Sequence, residues 1–349
     1  ATLSRTKAIL AIAAAVLLSS GCGGGAESAL VLLAGGVGAG GTGIGIVRGI
    51  GVITGFGSLI VDGVRRDDST ASYMSEEDHG AATAMAPTGA MLGQRLEYAQ
   101  DANGAMSSVL ISPEMVGTVT AANTSGTTVL GIRVTTNADT ALGPVTGLIG
   151  YASPADIQIG DRVAVYGMLK TDAQGTSSLQ ATLIVPKITG TGTRLTGHVS
   201  RLNAATGVFA IGGNTINASS AVIGPTGAPL SDGQLVTVWS DTPPVANVIT
   251  ASNIRIKWPP ADSGDRVLSG PISAYAGTAD FKVLNASIDA SSAAIVPAGA
   301  TLRDGIYVVV AGQFDAAANK LTASKVTVYA PAASHAVDLH GTILNFVSP

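Results

Sequence analysis

From about residue 46 to residue 331 the chain alternates apolar and polar residues at period two, in runs of four to eight residues. Phe209-Ala210-Ile211 and Phe281-Lys282-Val283 are typical runs. That spacing predicts short β-strands with one face buried and one solvated. Gly, Asn, Asp and Thr interrupt the runs and supply turns. Beyond Gly21 no window of helical length carries a strong helical stripe.

Three landmarks recur in order, which marks a tandem repeat. The first is Gly-x-Val/Ile, at Gly51-Val52-Ile53, Gly117-Thr118-Val119, Gly197-His198-Val199, Gly270-Pro271-Ile272 and Gly341-Thr342-Ile343. The second is a glycine shortly ahead of a strand, at Gly93, Gly160, Gly233 and Gly305, which follow one another at nearly equal intervals. The third is Ala-x-x-Ile/Val, at Ala181 to Ile184, Ala251 to Ile254 and Ala323 to Val326, with Ser108 and Ile111 in the first copy. Five short strands in about 70 residues suit a small closed barrel, because closure removes exposed edges. The expected fold class is all-β: tandem five-stranded OB-like barrels, or small sandwiches. The repeats are placed at 46–114, 115–187, 195–258 and 266–331, with an incomplete fifth starting at 337–349. Thr189-Gly190-Thr191-Gly192-Thr193 and Trp258-Pro259-Pro260 fall between copies. The lone fifth strand leaves three outcomes open: a longer gene product, which is favoured, docking on copy four, or pairing with another molecule.

The N-terminus looks like an address. Arg5 and Lys7 precede an unbroken apolar run from Ala8 to Leu18, and then Ser19-Ser20-Gly21-Cys22. This is the layout of a signal peptide over 1–21, and the run is too short to span a bilayer. A small residue ahead of the single cysteine resembles the bacterial lipobox, although Ser19 stands where Leu is usual. Cys22 is therefore expected to carry the lipid, the alternative being an ordinary cleaved signal with a spare thiol. The given sequence has no initiator Met. A Gly-rich tether follows over 22–45. Its Gly36-Val37-Gly38-Ala39-Gly40-Gly41 formally matches a dinucleotide turn, but no helix pattern follows, so it is read as a spacer.

Composition narrows the function classes. The 349 residues include 45 Gly and few aromatics (Trp 2, Tyr 7, Phe 5), with 46% hydrophobic and only 12% charged. Abundant apolar surface and a net charge of -4 exclude a disordered polyampholyte. Asp+Glu at 23 exceeds Lys+Arg at 19, which argues against a nucleic-acid binder. Cleavage before Cys22 would remove the positive charges of Arg5 and Lys7 and leave the remaining body more acidic still. One cysteine excludes a disulfide scaffold.

Gly40-Gly41-Thr42-Gly43 and the run from Ile53-Thr54-Gly55-Phe56-Gly57-Ser58 to Val61-Asp62-Gly63-Val64 resemble the opening of bacterial lipoproteins built from the domain of unknown function 5666 family. Members commonly carry Asn where this chain has Asp62. The later Leu-x-x-Gly-x-x-Val-x-Val and Ala-x-x-Ile patterns resemble the family's second half, so the likeness runs over about 18–331. It implies an all-β repeat on an envelope lipoprotein and brings no activity and no catalytic residues.

Motifs for chemistry are sparse. No Gly-x-Ser-x-Gly, P-loop, His-Glu-x-x-His or EF-hand loop occurs. His79, His198, His335 and His340 lie in different copies or linkers and are read as structural or solvated. Asp67-Asp68 and Glu76-Glu77-Asp78 bracket a polar loop; it is read as a solvated acidic loop, with a Ca²⁺ or ligand contact as the sharper alternative. Met74, Met85, Met91, Met106 and Met115 are read as core gap-fillers rather than a Cu(I) site. Trp239 is a candidate ligand contact on a strand, and Trp258 a wedge between copies. No catalytic residue, metal or cofactor is assigned. The expected protein is a non-enzymatic, lipid-anchored protein of the cell envelope and outer membrane, facing the periplasm or the surface. Its tandem modules would serve as spacer, scaffold or multivalent binding array. The alternatives are a glycan- or matrix-polymer-binding surface module and an extracellular filament subunit assembling through its C-terminal strand. The expected partners are the membrane, through the lipid on Cys22, and other envelope or matrix components. Nucleic acid is not among them; a homo-oligomer through the C-terminal strand is a further option.

Overall fold

The computed structural model describes residues 46–330, apart from 78–79, 102, 124–125, 172–176 and 260–262. The signal peptide, Cys22, the tether, Asp78, His79, His335, His340 and the incomplete copy at 337–349 lie outside the described residues. What is described is all-β. Helix is limited to three single 3-10 turns, Pro87–Gly89, Thr140–Leu142 and Pro154–Asp156.

The first stretch holds β1 (Val47–Gly55), β2 (Ile60–Val61), β3 (Val64–Arg65), β4 (Ser72–Ser75), β5 (Thr83–Ala84), β6 (Arg95–Gln100) and β7 (Met106–Ile111). The second holds β8 (Met115–Asn123), β9 (Gly126–Val129), β10 (Ile132–Thr135), β11 (Gly147–Leu148), β12 (Arg162–Thr171) and β13 (Ser177–Pro186). The third holds β14 (Thr193–His198), β15 (Ser200–Asn203), β16 (Val208–Ile211), β17 (Asn214–Asn217), β18 (Val222–Gly224), β19 (Leu235–Ser240), β20 (Val248–Thr250) and β21 (Asn253–Ile256). The fourth holds β22 (Gly264–Pro271), β23 (Ser273–Gly277), β24 (Asp280–Val283), β25 (Ala286–Asp289), β26 (Ala294–Val296), β27 (Tyr307–Asp315) and β28 (Lys320–Val328).

In the second stretch the pairings return on themselves. β8 pairs β9, β9 pairs β10, β10 pairs β13 in parallel, β13 pairs β12, and β12 pairs β8. The fourth stretch repeats the scheme, with β22 and β23 together in the place of β8: β23–β24, β24–β25, parallel β25–β28, β28–β27 and β27–β22. The third follows the same order but is split between two sheets, β15–β16, β16–β17 and parallel β17–β20 in one and β21–β19 and β19–β14 in the other. In the first, a single parallel bridge joins Asp67 to Ala105, and β4 then pairs β7 in parallel from Ser72 opposite Ser108 to Ser75 opposite Ile111.

Local chemistry explains the landmarks. Gly93, Gly160, Gly233 and Gly305 have φ of +82, +97, +85 and +84°, which side chains rarely adopt. The Gly-x-Val glycine makes room for the next hairpin. A Cβ on Gly51, Gly117 or Gly197 would lie 2.3, 2.5 or 2.2 Å from the side chain of Val61, Leu130 or Ile211. That hairpin is tight, with both central residues left-handed at Asp62-Gly63, Leu130-Gly131 and Leu284-Asn285. Such turns match the natural twist of paired strands. The Ala-x-x-Ile alanines Ala181 and Ala323 lie beside Gly167 and Gly312, where the register shifts by a bulge. A Cβ on Gly167 or Gly312 would lie 2.3 or 2.1 Å from the carbonyl oxygen of Gln180 or Thr322.

The stretches pack on one another beyond sequence order. β22 pairs β1 in parallel, from Arg48 opposite Arg266 to Ile50 opposite Leu268. The first and fourth stretches thereby share a 14-stranded sheet. β14 pairs β8 antiparallel, joining the second and third. Side chains cross the remaining seams. Val116, Ala164, Tyr166 and Leu183 of the second stretch pack into the core of the first, and Met168 packs into that of the fourth. Thr182 Oγ1 donates to Gly93 O at 2.6 Å, and Asn214 Nδ2 donates to Leu130 O at 2.6 Å.

Candidate functional site

The seams meet in a buried cluster of charges. β6 brings Arg95 and Glu97, and the approach to β8 brings Glu114. The chain after β4 brings Glu76 and Glu77, β14 brings Arg194, and β21 with its exit brings Arg255 and Lys257. Glu76 Oε2 accepts from Arg194 Nη1 at 3.0 Å and from Arg255 Nη2 at 3.2 Å. Arg255 Nη2 also donates to Glu97 Oε1 at 2.9 Å, and Lys257 Nζ meets the same oxygen. Arg95 Nε donates to Glu114 Oε1 at 2.7 Å. Lys187 pairs with Glu77 at the rim. Arg194 has no exposed surface at all. Its guanidinium stands over the Trp239 ring, 4.8 Å from the centroid, and Trp239 Nε1 donates to the Glu77 carbonyl at 3.1 Å.

The electrostatics follow from burial and pairing. Burial alone would raise the Glu97 carboxyl, but Arg255 and Lys257 outweigh it and hold it down at about 2. Burial is likewise the largest influence on Glu114 and is again overcome, by Lys257 and Arg95, so its carboxyl lies below the usual range. Burial lowers Lys257 more than Glu97 and Glu114 raise it. Such a cluster holds surfaces together in one register. It adds little net stability over an apolar contact, but losing one partner strands a buried charge.

The residues singled out in the sequence are dispersed. Trp239 is 2% exposed beneath Arg194, so its ring offers no ligand platform. The acidic loop is split. Asp67 accepts from Ser69 N at 3.1 Å and Ser69 Oγ at 2.7 Å in its own turn. Asp68 accepts from Leu59 N at 3.2 Å and Tyr73 Oη at 2.5 Å. Glu76 is buried rather than solvated, because arginines of the third stretch reach it. Among the described residues no group of three or more His, Cys, Asp or Glu is placed to hold a metal ion. The methionines divide among separate cores: Met74 packs near Leu110, Met106 lies in the first core, and Met115 in that of the second and third stretches. Trp258 makes an edge contact with Phe314, centroids 5.4 Å apart, inside the fourth core. His198 is held down at about 4 by burial and then by Lys282, so it is neutral at pH 7.

Sequence reasoning passed over Arg95, Glu97, Glu114, Arg194, Arg255 and Lys257. Arg95-Leu96-Glu97-Tyr98 and Ile254-Arg255-Ile256-Lys257 alternate as an ordinary solvated strand face does. Their signal was the placement of several charges within strands of a chain that is only 12% charged.

A second feature is a cleft of about 950 Å³ at one end of the second stretch, walled by Asn123, Thr127, Thr135, Ile157 and Gln158. The 3-10 turn at Pro154–Asp156 forms one wall and is fixed by Ser153 N donating to Asp156 Oδ2 at 2.7 Å. Among the described residues, those that line it carry no formal charge. Such a wall suits an uncharged polar chain better than an ion.

Strands and junction together define an all-β, multi-sheet protein in which the most deeply buried charges serve packing. Residues 116–184 match the family model described as Domain of unknown function (DUF5666), and the chain resembles that family there. The match runs from β8 to β13, the stretch whose pairings close and which holds the cleft. The Ile53 to Val64 motif lies outside it. No curated protein matches the chain.

Proposed function

We propose that the chain is a non-enzymatic, lipid-anchored envelope protein that presents four OB-like β-modules as a single rigid scaffold or binding array. The ring order β8-β9-β10-β13-β12, with its parallel step between the third and last strands, supports the OB-like reading of each module. The pairing of β1 with β22 carries the scaffold reading, since it joins the first module directly to the fourth. A flexible spacer has no use for such a clasp, whereas a display platform needs its sites at fixed separations. Lipid on Cys22 and the Gly-rich tether would hold this body at a membrane. Fractionation of cells carrying wild type or Cys22→Ser tests the anchor: the wild type is expected with membranes and the variant in the soluble fraction. Equal sedimentation of both would remove the anchor from the reading. Protease shaving of intact against lysed cells then assigns the face. Digestion on intact cells fits a surface array, and protection until lysis fits a periplasmic scaffold.

The uncharged cleft favours a second reading, a module for a neutral glycan or matrix polymer. Binding of a neutral polysaccharide that Gln158→Ala abolishes would establish it.

A further inference from the structure

The cleft in the second module lies where that module carries small side chains and its siblings carry large ones. Val134 stands opposite Thr127 in the ladder, whereas Ile216 stands opposite Phe209 and Ile288 opposite Phe281. Phe209 and Phe281 are buried in their cores. Leu59, three residues ahead of its hairpin turn as Thr127 is, is buried in the first module. A second difference falls at the fifth residue after the Gly-x-Val glycine. It is Leu202 after Gly197 and Tyr275 after Gly270, each packed against a core, but Ala122 after Gly117. Tyr275 lies against Phe281, ring centroids 5.9 Å apart. Ala122 and Thr127 both line the cleft. Protein interiors are close-packed, so two small residues in place of two large ones leave an opening. The third and fourth modules also latch this end. The Leu202 amide donates to Asp232 Oδ1 at 2.9 Å, and the Tyr275 amide donates to Asp304 Oδ1 at 2.8 Å. Each aspartate directly precedes Gly233 or Gly305. In the second module Ile159 holds that place before Gly160; its side chain accepts no hydrogen bond, lines the cleft and is 67% exposed.

We propose that the second module is the ligand-binding member of the four. Its cleft seats an uncharged six-membered sugar ring of a glycan, in the space that Phe209 with Leu202, or Phe281 with Tyr275, fills in the third and fourth. The assignment rests on the neutral-glycan reading of the cleft. A pyranose has the outline of a phenyl ring, an apolar face of C–H groups and a rim of hydroxyls. Val134, Ile157 and Ile184 are apolar, buried and on the cleft wall, and would carry that face. Thr127, Thr135 and Gln158 bring uncharged donors and acceptors for the rim. The remaining modules then hold and orient this one site rather than multiply it.

The test is calorimetric titration of the full chain with maltohexaose, cellohexaose and N-acetylated chitohexaose. At least one is expected to bind, at one site per chain. Ala122→Leu with Thr127→Phe copies the plug of the third module and should weaken that binding at least tenfold, with Tm unchanged or raised. Ala122→Leu alone alters a half-buried position and should weaken it several-fold, which keeps the test valid if the double variant fails to fold. A hexaose that loses its affinity in Gln158→Ala but keeps it in the plugged chain, or that fills more than one site per chain, would overturn the assignment and leave the glycan reading standing. No binding of any hexaose would remove both. Binding of phenol in place of the hexaoses, lost on plugging, would also overturn the sugar and identify an aromatic side chain of a protein partner.

Discussion

Gly305 and Gly197 are both glycine for reasons that differ in kind. At Gly305 the backbone is left-handed at +84° and a Cβ would meet nothing within 4 Å. At Gly197 a Cβ would sit 2.2 Å from Ile211 Cγ2 in the core. Gly305→Ala is therefore expected to cost about 1–2 kcal/mol of backbone strain. Gly305→Asn should recover part of it, because Asn tolerates that conformation. Gly197→Ala should cost about 1–3 kcal/mol by overpacking, and Asn there should be worse than Ala. Urea unfolding midpoints of the four variants check the contrast. These glycines were legible in the sequence because few other residues satisfy either demand. Leu130 and Leu284 were not. They occupy left-handed turn positions at 49 and 51°, and leucine is no turn signal.

The hairpin from β2 to β3 shows how one element ties modules together. Its turn residue Asp62 is buried; Oδ1 accepts from Val52 N at 3.1 Å and from Tyr307 Oη of the fourth module at 2.7 Å. Burial is the main influence and raises its carboxyl above the ordinary 3.8, despite the hydrogen bonds from Tyr307 and Ser269. The folded chain thus holds this proton more tightly than the unfolded chain. The ionised group weakens the fold above the folded pKa, and that penalty fades as pH falls through it toward 3.8. Asp62→Asn keeps an acceptor oxygen and removes the charge. It is expected to raise stability at pH 7 by on the order of 1 kcal/mol. The gain should shrink with acidification, as denaturant melts across pH would show. The strands flanking this turn, and their all-β character, could be read from period-two alternation. The brief additions β11 and β26 could not, since two or three residues set no period.

Across the whole molecule, the charge junction decides which modules face each other. Glu76 is shared by Arg194 and Arg255 of the third module. Glu76→Gln is expected to destabilise by about 3–5 kcal/mol, because buried guanidinium groups lose their counter-charge. Glu76→Leu with Arg194→Met should lose less than the sum of the two single changes. A double-mutant cycle in denaturant measures that coupling. The sequence displays the recurring glycine and Ala-x-x-Ile landmarks, because they are local. It could not show the junction. An alternating Arg-Leu-Glu-Tyr strand has the same pattern whether its polar face meets water or another module, and only docking between distant stretches decides.

The clasp between β1 and β22 also has a consequence in time. Ser269 Oγ donates to the Ile50 carbonyl across 219 residues of sequence. At about 5–20 residues per second, synthesis takes about 10–40 s to deliver the partner strand after the first has been made. During that wait one flank of β1 has no mate, and an unpaired flank invites another chain. The nascent molecule is therefore most exposed to wrong pairing at its oldest module until its youngest arrives.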